Sequence, residues 1–68
     1  MKTARLRFDD ESRRWCIGET ELHCGDVFEL FDDKDQNPVF VRIEYCIECW
    51  YFITPYGCCK PSTRLARI

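Results

Sequence analysis

The chain has 68 residues, room for one domain, and at this size a single core supplies only about 3–5 kcal/mol, so metals, disulfides or partner chains often add support. Hydrophobic residues make up 46% and aromatics 15%, enough apolar surface to offset the ordering entropy that keeps polar chains disordered. A net charge of −2 and a pI near 5.3 argue against a domain built for nucleic acid, which is normally basic overall.

The chain opens on Met1-Lys2-Thr3-Ala4-Arg5-Leu6-Arg7 and runs straight into Asp9-Asp10-Glu11, without the apolar stretch of a signal peptide. No apolar run approaches the ~20 residues that span a bilayer. The expected address is cytoplasmic, with no membrane partner. Ala4, Leu6 and Phe8 alternate with Arg5 and Arg7, the pattern of a first strand with one buried face. Asp9-Asp10-Glu11-Ser12 reads as a turn. Trp15-Cys16-Ile17 begins a second strand that stops near Gly18. Val27–Phe31 forms a third after the Cys24-Gly25-Asp26 corner, and it ends in the polar run Asp32–Pro38. In a fourth strand Val39, Val41 and Ile43 alternate with Phe40, Arg42 and Glu44. Cys49-Trp50-Tyr51-Phe52-Ile53 is apolar on both faces, as a central or twice-covered strand would be. Pro55, Gly57 and Pro61 mark an irregular loop, and Arg64–Ile68 is the last strand.

No segment sustains apolar residues at helical spacing. The expected fold is therefore all-β, a single domain over residues 1–68. It should be a small SH3-like barrel or rolled sheet of five to six short antiparallel strands. Closure has the better physical argument, because it removes edges that template aggregation.

Leu22-His23-Cys24-Gly25, Arg42-Ile43-Glu44-Tyr45, Trp50-Tyr51 and Arg67-Ile68 come in an order and spacing that resembles domain of unknown function 5348 from about Leu6 onward. That resemblance implies a small bacterial, cytoplasmic β protein without an assigned activity. It carries Leu22–Gly25 over as a structural corner, since glycine permits a turn that other residues resist. The family pattern has no counterparts of Cys46, Cys49, Cys58 and Cys59.

Six cysteines demand a reading: Cys16, Cys24, Cys46, Cys49, Cys58 and Cys59. A reducing cytosol favours free thiols or metal ligands over a disulfide scaffold. The two-residue gap of Cys46 and Cys49 lets both sulfurs converge on one ion, and Cys58 and Cys59 one strand later would complete a zinc tetrahedron. Adjacent side chains on extended backbone diverge, however, which weakens the second pair as a chelate. Ordinary reduced cysteines are the simpler account, and no cofactor is favoured. Redox catalysis by Cys46 and Cys49 lacks the helix N-terminus or nearby cation that lowers a thiol pKa, and Glu48 between them opposes it.

Asp33, Asp35, Asn37 and Glu44 fall at calcium-loop positions, but Pro38 occupies the place where that loop needs glycine, so a hairpin turn is the better reading. His23 beside Cys24 is not a catalytic pair by adjacency alone. No phosphate-cradling glycine loop exists. No enzyme is expected.

Charge is unevenly laid out: residues 1–14 carry a net +2, residues 19–35 a net −6 and the remainder +2. Pairing of the first and last strands would bring Arg5 and Arg7 near Arg64 and Arg67, a basic patch able to meet phosphate or an acidic protein surface. A solvated face balanced by Asp9, Asp10 and Glu11 explains the same residues. The function expected is a non-catalytic interaction module, for protein in preference to nucleic acid, with a homodimer as one form. The alternative is a structural zinc-binding mini-domain using Cys46, Cys49, Cys58 and Cys59.

Overall fold

A computed structural model describes residues 2–31 and 37–68. Strands β1 (Thr3–Asp9), β2 (Arg14–Ile17), β3 (Thr20–Glu21), β4 (Val27–Phe31), β5 (Pro38–Cys46), β6 (Cys49–Thr54), β7 (Gly57–Cys59) and β8 (Leu65–Arg67) follow in chain order. All neighbours are antiparallel, in the order β3-β2-β1-β8-β4-β5-β6-β7.

Alternation in the sequence fixes which side chains go inward. Leu6 opposes Ile17, Phe28 opposes Val41, Leu30 opposes Ala66 and Ile43 opposes Phe52. With Leu22 these residues form one buried cluster, against which Ala4, Trp15, Val39, Trp50 and Ile68 pack. Phe28 and Phe52 meet edge-to-face at its centre, their ring centroids 5.3 Å apart, a geometry that adds about 0.5–1.5 kcal/mol beyond burial. The first and last strands pair as expected, Ala4 opposite Ala66 and Arg5 opposite Leu65.

The sheet rolls but does not close. Trp50 on β6 donates its indole N–H to the Arg13 carbonyl at 3.1 Å, drawing the β1–β2 turn against the far side of the sheet. β3 and β7 remain as edges, which corrects the preference for a closed barrel. The physical need for closure is met another way: the edge strands have two and three residues, too short to template much pairing, and Lys60-Pro61 follows β7 directly.

Those two edge strands also raise the number above the six expected. β3 turns back on β2 through Gly18-Glu19, with Gly18 at φ 61°. β7 forms where an irregular loop was expected. There the Thr54 hydroxyl donates to the Gly57 carbonyl at 2.8 Å and accepts from the Tyr56 N–H, making Pro55-Tyr56 a tight turn. β6 is not covered on both faces. Phe52 is fully buried, Tyr51 and Ile53 are half-buried on the other face, and Cys49 is exposed.

Candidate functional site

The outer face of β4 and β5 carries apolar side chains that the core does not use. Phe40 is 68% exposed and Val27 53% exposed. Val27 opposes Arg42 and Glu29 opposes Phe40, which makes Val27 and Phe40 diagonal neighbours on one face. Both intervening charges are engaged elsewhere: Arg42 Nε lies 3.0 Å from the Glu44 carboxylate, and Glu29 takes two hydrogen bonds from Arg67. Neither charged side chain is therefore free to shield the two apolar ones. Ile53, opposite Arg42 on the other side, continues the row onto β6. The sequence contained this signal, because Phe40 keeps phase with the outward Arg42 and Glu44. What it did not contain was the pairing that removes those charges from the patch.

The four arginines of the expected basic patch are split. Arg5, Arg7 and Arg67 share the outer face, by alternation and register. Arg5 Nη1 donates to the Thr63 carbonyl at 3.2 Å, Arg7 donates twice to the Gly18 carbonyl, and Arg67 is paired to Glu29. Arg64 instead lines a groove of about 470 Å³ with Leu30, Val39, Thr54 and Tyr56, and its Nε donates to the Phe31 carbonyl. The parity was present in the sequence: Arg64 and Arg67 are three residues apart, and a strand that alternates every two sets them on opposite faces.

All six cysteines are free thiols. Cys46 and Cys49 are direct partners across the β5–β6 hairpin, separated by a two-residue turn in which Ile47 and Glu48 have φ of 52° and 60°. Two positive φ values in a two-residue loop are the type I′ signature. Cys58 opposes Ile53, four residues along β6 from Cys49, hence about 13 Å away at strand rise. Cys59 opposes Phe52 and so takes the other face. The register thus keeps the two pairs apart, and among the described residues no group of three or more His, Cys, Asp or Glu is placed to hold a metal ion. Cys16, unremarked as a site in the sequence, is buried, and that burial pushes its thiol pKa up.

His23 and Cys24 belong to a turn. The Asp26 carboxylate accepts from the His23 N–H at 2.8 Å, the Asp26 N–H donates to the His23 carbonyl, and Gly25 has φ 90°. His23 Nδ1 stands 3.8 Å from Asp26 with both side chains exposed. Of the calcium-loop positions, Asp33 and Asp35 lie outside the described residues, while Glu44 is paired with Arg42. Among the described residues no helix is long and apolar enough to cross a membrane.

The motifs that carry the family resemblance have structural work. Leu22 is buried, Gly25 makes the corner, Ile43 is buried between Arg42 and Glu44, Trp50 holds the roll, and Arg67 clamps Glu29. The family model for "Domain of unknown function (DUF5348)" matches residues 4–66, and the chain belongs to that family. Comparison with curated proteins found no match, and neither did comparison with solved structures.

Proposed function

We propose that this chain is a non-catalytic protein-interaction module that receives its partner on the outer face of β4 and β5. The observation that carries the reading is the pair Phe40 and Val27, largely exposed and adjacent while the charges between them are held in ion pairs. Burying one such side chain against a partner is worth about 1.5–3 kcal/mol. The surrounding Arg42–Glu44 and Arg67–Glu29 pairs supply the polar rim that surrounds an apolar centre in protein interfaces. A nucleic-acid partner has less support: the net charge is negative, and the arginines nearest the patch are engaged by carboxylates or carbonyls.

The test compares wild type with a Phe40→Ser, Val27→Ser variant, each immobilised and exposed to extract of the source cells, with sedimentation analysis of both proteins. A partner, or a second copy of the chain, held by wild type and released by the variant supports the reading. Equal retention by both proteins, or salt-sensitive retention on DNA with no protein bound, overturns it.

A further inference from the structure

The β5–β6 hairpin places two thiols where they can react with each other. Opposed residues of an antiparallel pair have α carbons about 4.5–5.5 Å apart, inside the roughly 4.4–6.8 Å window of disulfides. Cys46 and Cys49 are such a pair, on one face and both exposed. They are also the only cysteines among the described residues that the sheet register sets opposite one another. Cys58 and Cys59, though adjacent in sequence, lie on an extended strand and project to opposite faces.

We propose that Cys46 and Cys49 are a redox-modification site, a dithiol that closes reversibly to an intramolecular disulfide when a hydroperoxide oxidises it. One thiolate attacks the terminal peroxide oxygen, breaking the O–O bond and releasing an alcohol or, from hydrogen peroxide, water. This leaves a sulfenic acid. The second thiolate attacks that sulfur, forming the S–S bond and expelling hydroxide, which leaves as water after protonation. Two electrons pass from the sulfurs to the peroxide, and two thiols plus one hydroperoxide give one disulfide, one water and one alcohol or second water.

Two features make the bridge reversible instead of a permanent staple. Cross-strand β carbons stand about 4.5–5.5 Å apart, whereas a relaxed disulfide holds them at about 3.5–4.5 Å, so closure draws the strands inward. The turn that would have to adjust already holds Ile47 and Glu48 at positive φ, a conformation non-glycine residues rarely adopt. Strained, exposed disulfides are the reducible ones. Closure fixes the tip of the hairpin, where Tyr45 and Trp50 meet in a tilted contact with centroids 4.8 Å apart and Ile47 is 89% exposed.

Cleavage after Glu44 and Glu48 puts Cys46 on one peptide and Cys49, together with Cys58 and Cys59, on another, so the joined peptides are read alongside a Cys58→Ser, Cys59→Ser variant that leaves Cys49 as the one partner. Reduced full-length protein is treated with an equivalent of hydrogen peroxide, alkylated with iodoacetamide, digested at glutamate and weighed. The expected result is loss of two alkylatable thiols in the monomer, with the two peptides joined and separated again by dithiothreitol. The result is independent of protein concentration, unchanged in a Cys58→Ser, Cys59→Ser variant and abolished by Cys46→Ser. Separate peptides with each cysteine individually alkylated or over-oxidised overturn the proposal. So does a bridge that uses another cysteine or a second chain.

Discussion

Arg67 grips Glu29 directly across the β4–β8 pairing, its Nε and Nη2 donating to the two carboxylate oxygens at 2.9 and 2.8 Å. The guanidinium also lies over the Phe31 ring, 5.3 Å from its centroid. This contact fastens the last strand to the middle of the sheet, across 38 residues of chain.

The same contact makes stability depend on pH. The hydrogen bonds from Arg67 hold the Glu29 carboxyl below its ordinary value near 4.5, and Glu29 in turn raises Arg67. A carboxylate with a lowered folded pKa stabilises the fold above the unfolded value and loses that contribution as pH falls through the folded one. Wild type should therefore melt at progressively lower temperature as the solution is acidified below about 4.5. Glu29→Gln should melt lower than wild type at neutral pH and approach it in acid. Asp9, held low by the Glu11 N–H and the Ser12 hydroxyl, gives a slope of the same sign in both proteins. Parallel curves of melting temperature against pH would show that Glu29 contributes none of it.

Phe52 should be the least replaceable side chain. It is fully buried, packs edge-to-face on Phe28 and sits opposite buried Ile43. Truncation to alanine in a well-packed core costs about 3–5 kcal/mol, which equals the whole stability expected of so small a domain. Phe52→Ala should lack a cooperative thermal transition by circular dichroism, while Phe40→Ser should keep one within about 0.5 kcal/mol of wild type, as exposed substitutions do.

The period-two alternation made six of the eight strands, the faces of β1 and β5 and the pairing of the chain's ends legible in the sequence, but not the buried face of β6, where both faces are apolar. It missed β3 and β7 because two or three residues carry no period, and Thr54's hydrogen bonds, which make β7 possible, are a matter of geometry. The same limit applied to the candidate sites. Spacing brought Cys46 and Cys49 together correctly, since a two-residue turn constrains both. It brought Cys58 and Cys59 near them only by counting strands, and register then put Cys58 opposite Ile53. Arg64 left the expected patch for a simpler reason, its odd spacing from Arg67 on a strand of period two.

Metal dependence follows from that register. A structural zinc site contributes about 10–16 kcal/mol where it exists, so its removal unfolds a small domain. With Cys58 about 13 Å along the sheet from Cys49 and Cys59 on the other face, purified protein should hold well under one zinc per chain, and its melting should be indifferent to a chelator. One tightly held zinc per chain by elemental analysis, with melting lowered by the chelator, would mean that the β5–β7 segment rearranges around the metal.

The Ile47-Glu48 turn offers the opposite kind of test, a substitution expected to stabilise. Type I′ geometry needs positive φ at both central residues, and Asn-Gly satisfies it with little strain. This chain uses a β-branched residue and a glutamate instead, at φ 52° and 60°. Ile47 gains nothing from packing in return, being almost wholly exposed. Residues held in such sparsely populated backbone regions cost about 1–3 kcal/mol each, so replacing the pair with Asn-Gly should raise stability by about 1–3 kcal/mol. The increase should appear as a higher urea midpoint with an unchanged slope, because the surface exposed on unfolding stays nearly the same. A lower midpoint would place the turn in a different conformation, and with it the opposition of Cys46 to Cys49.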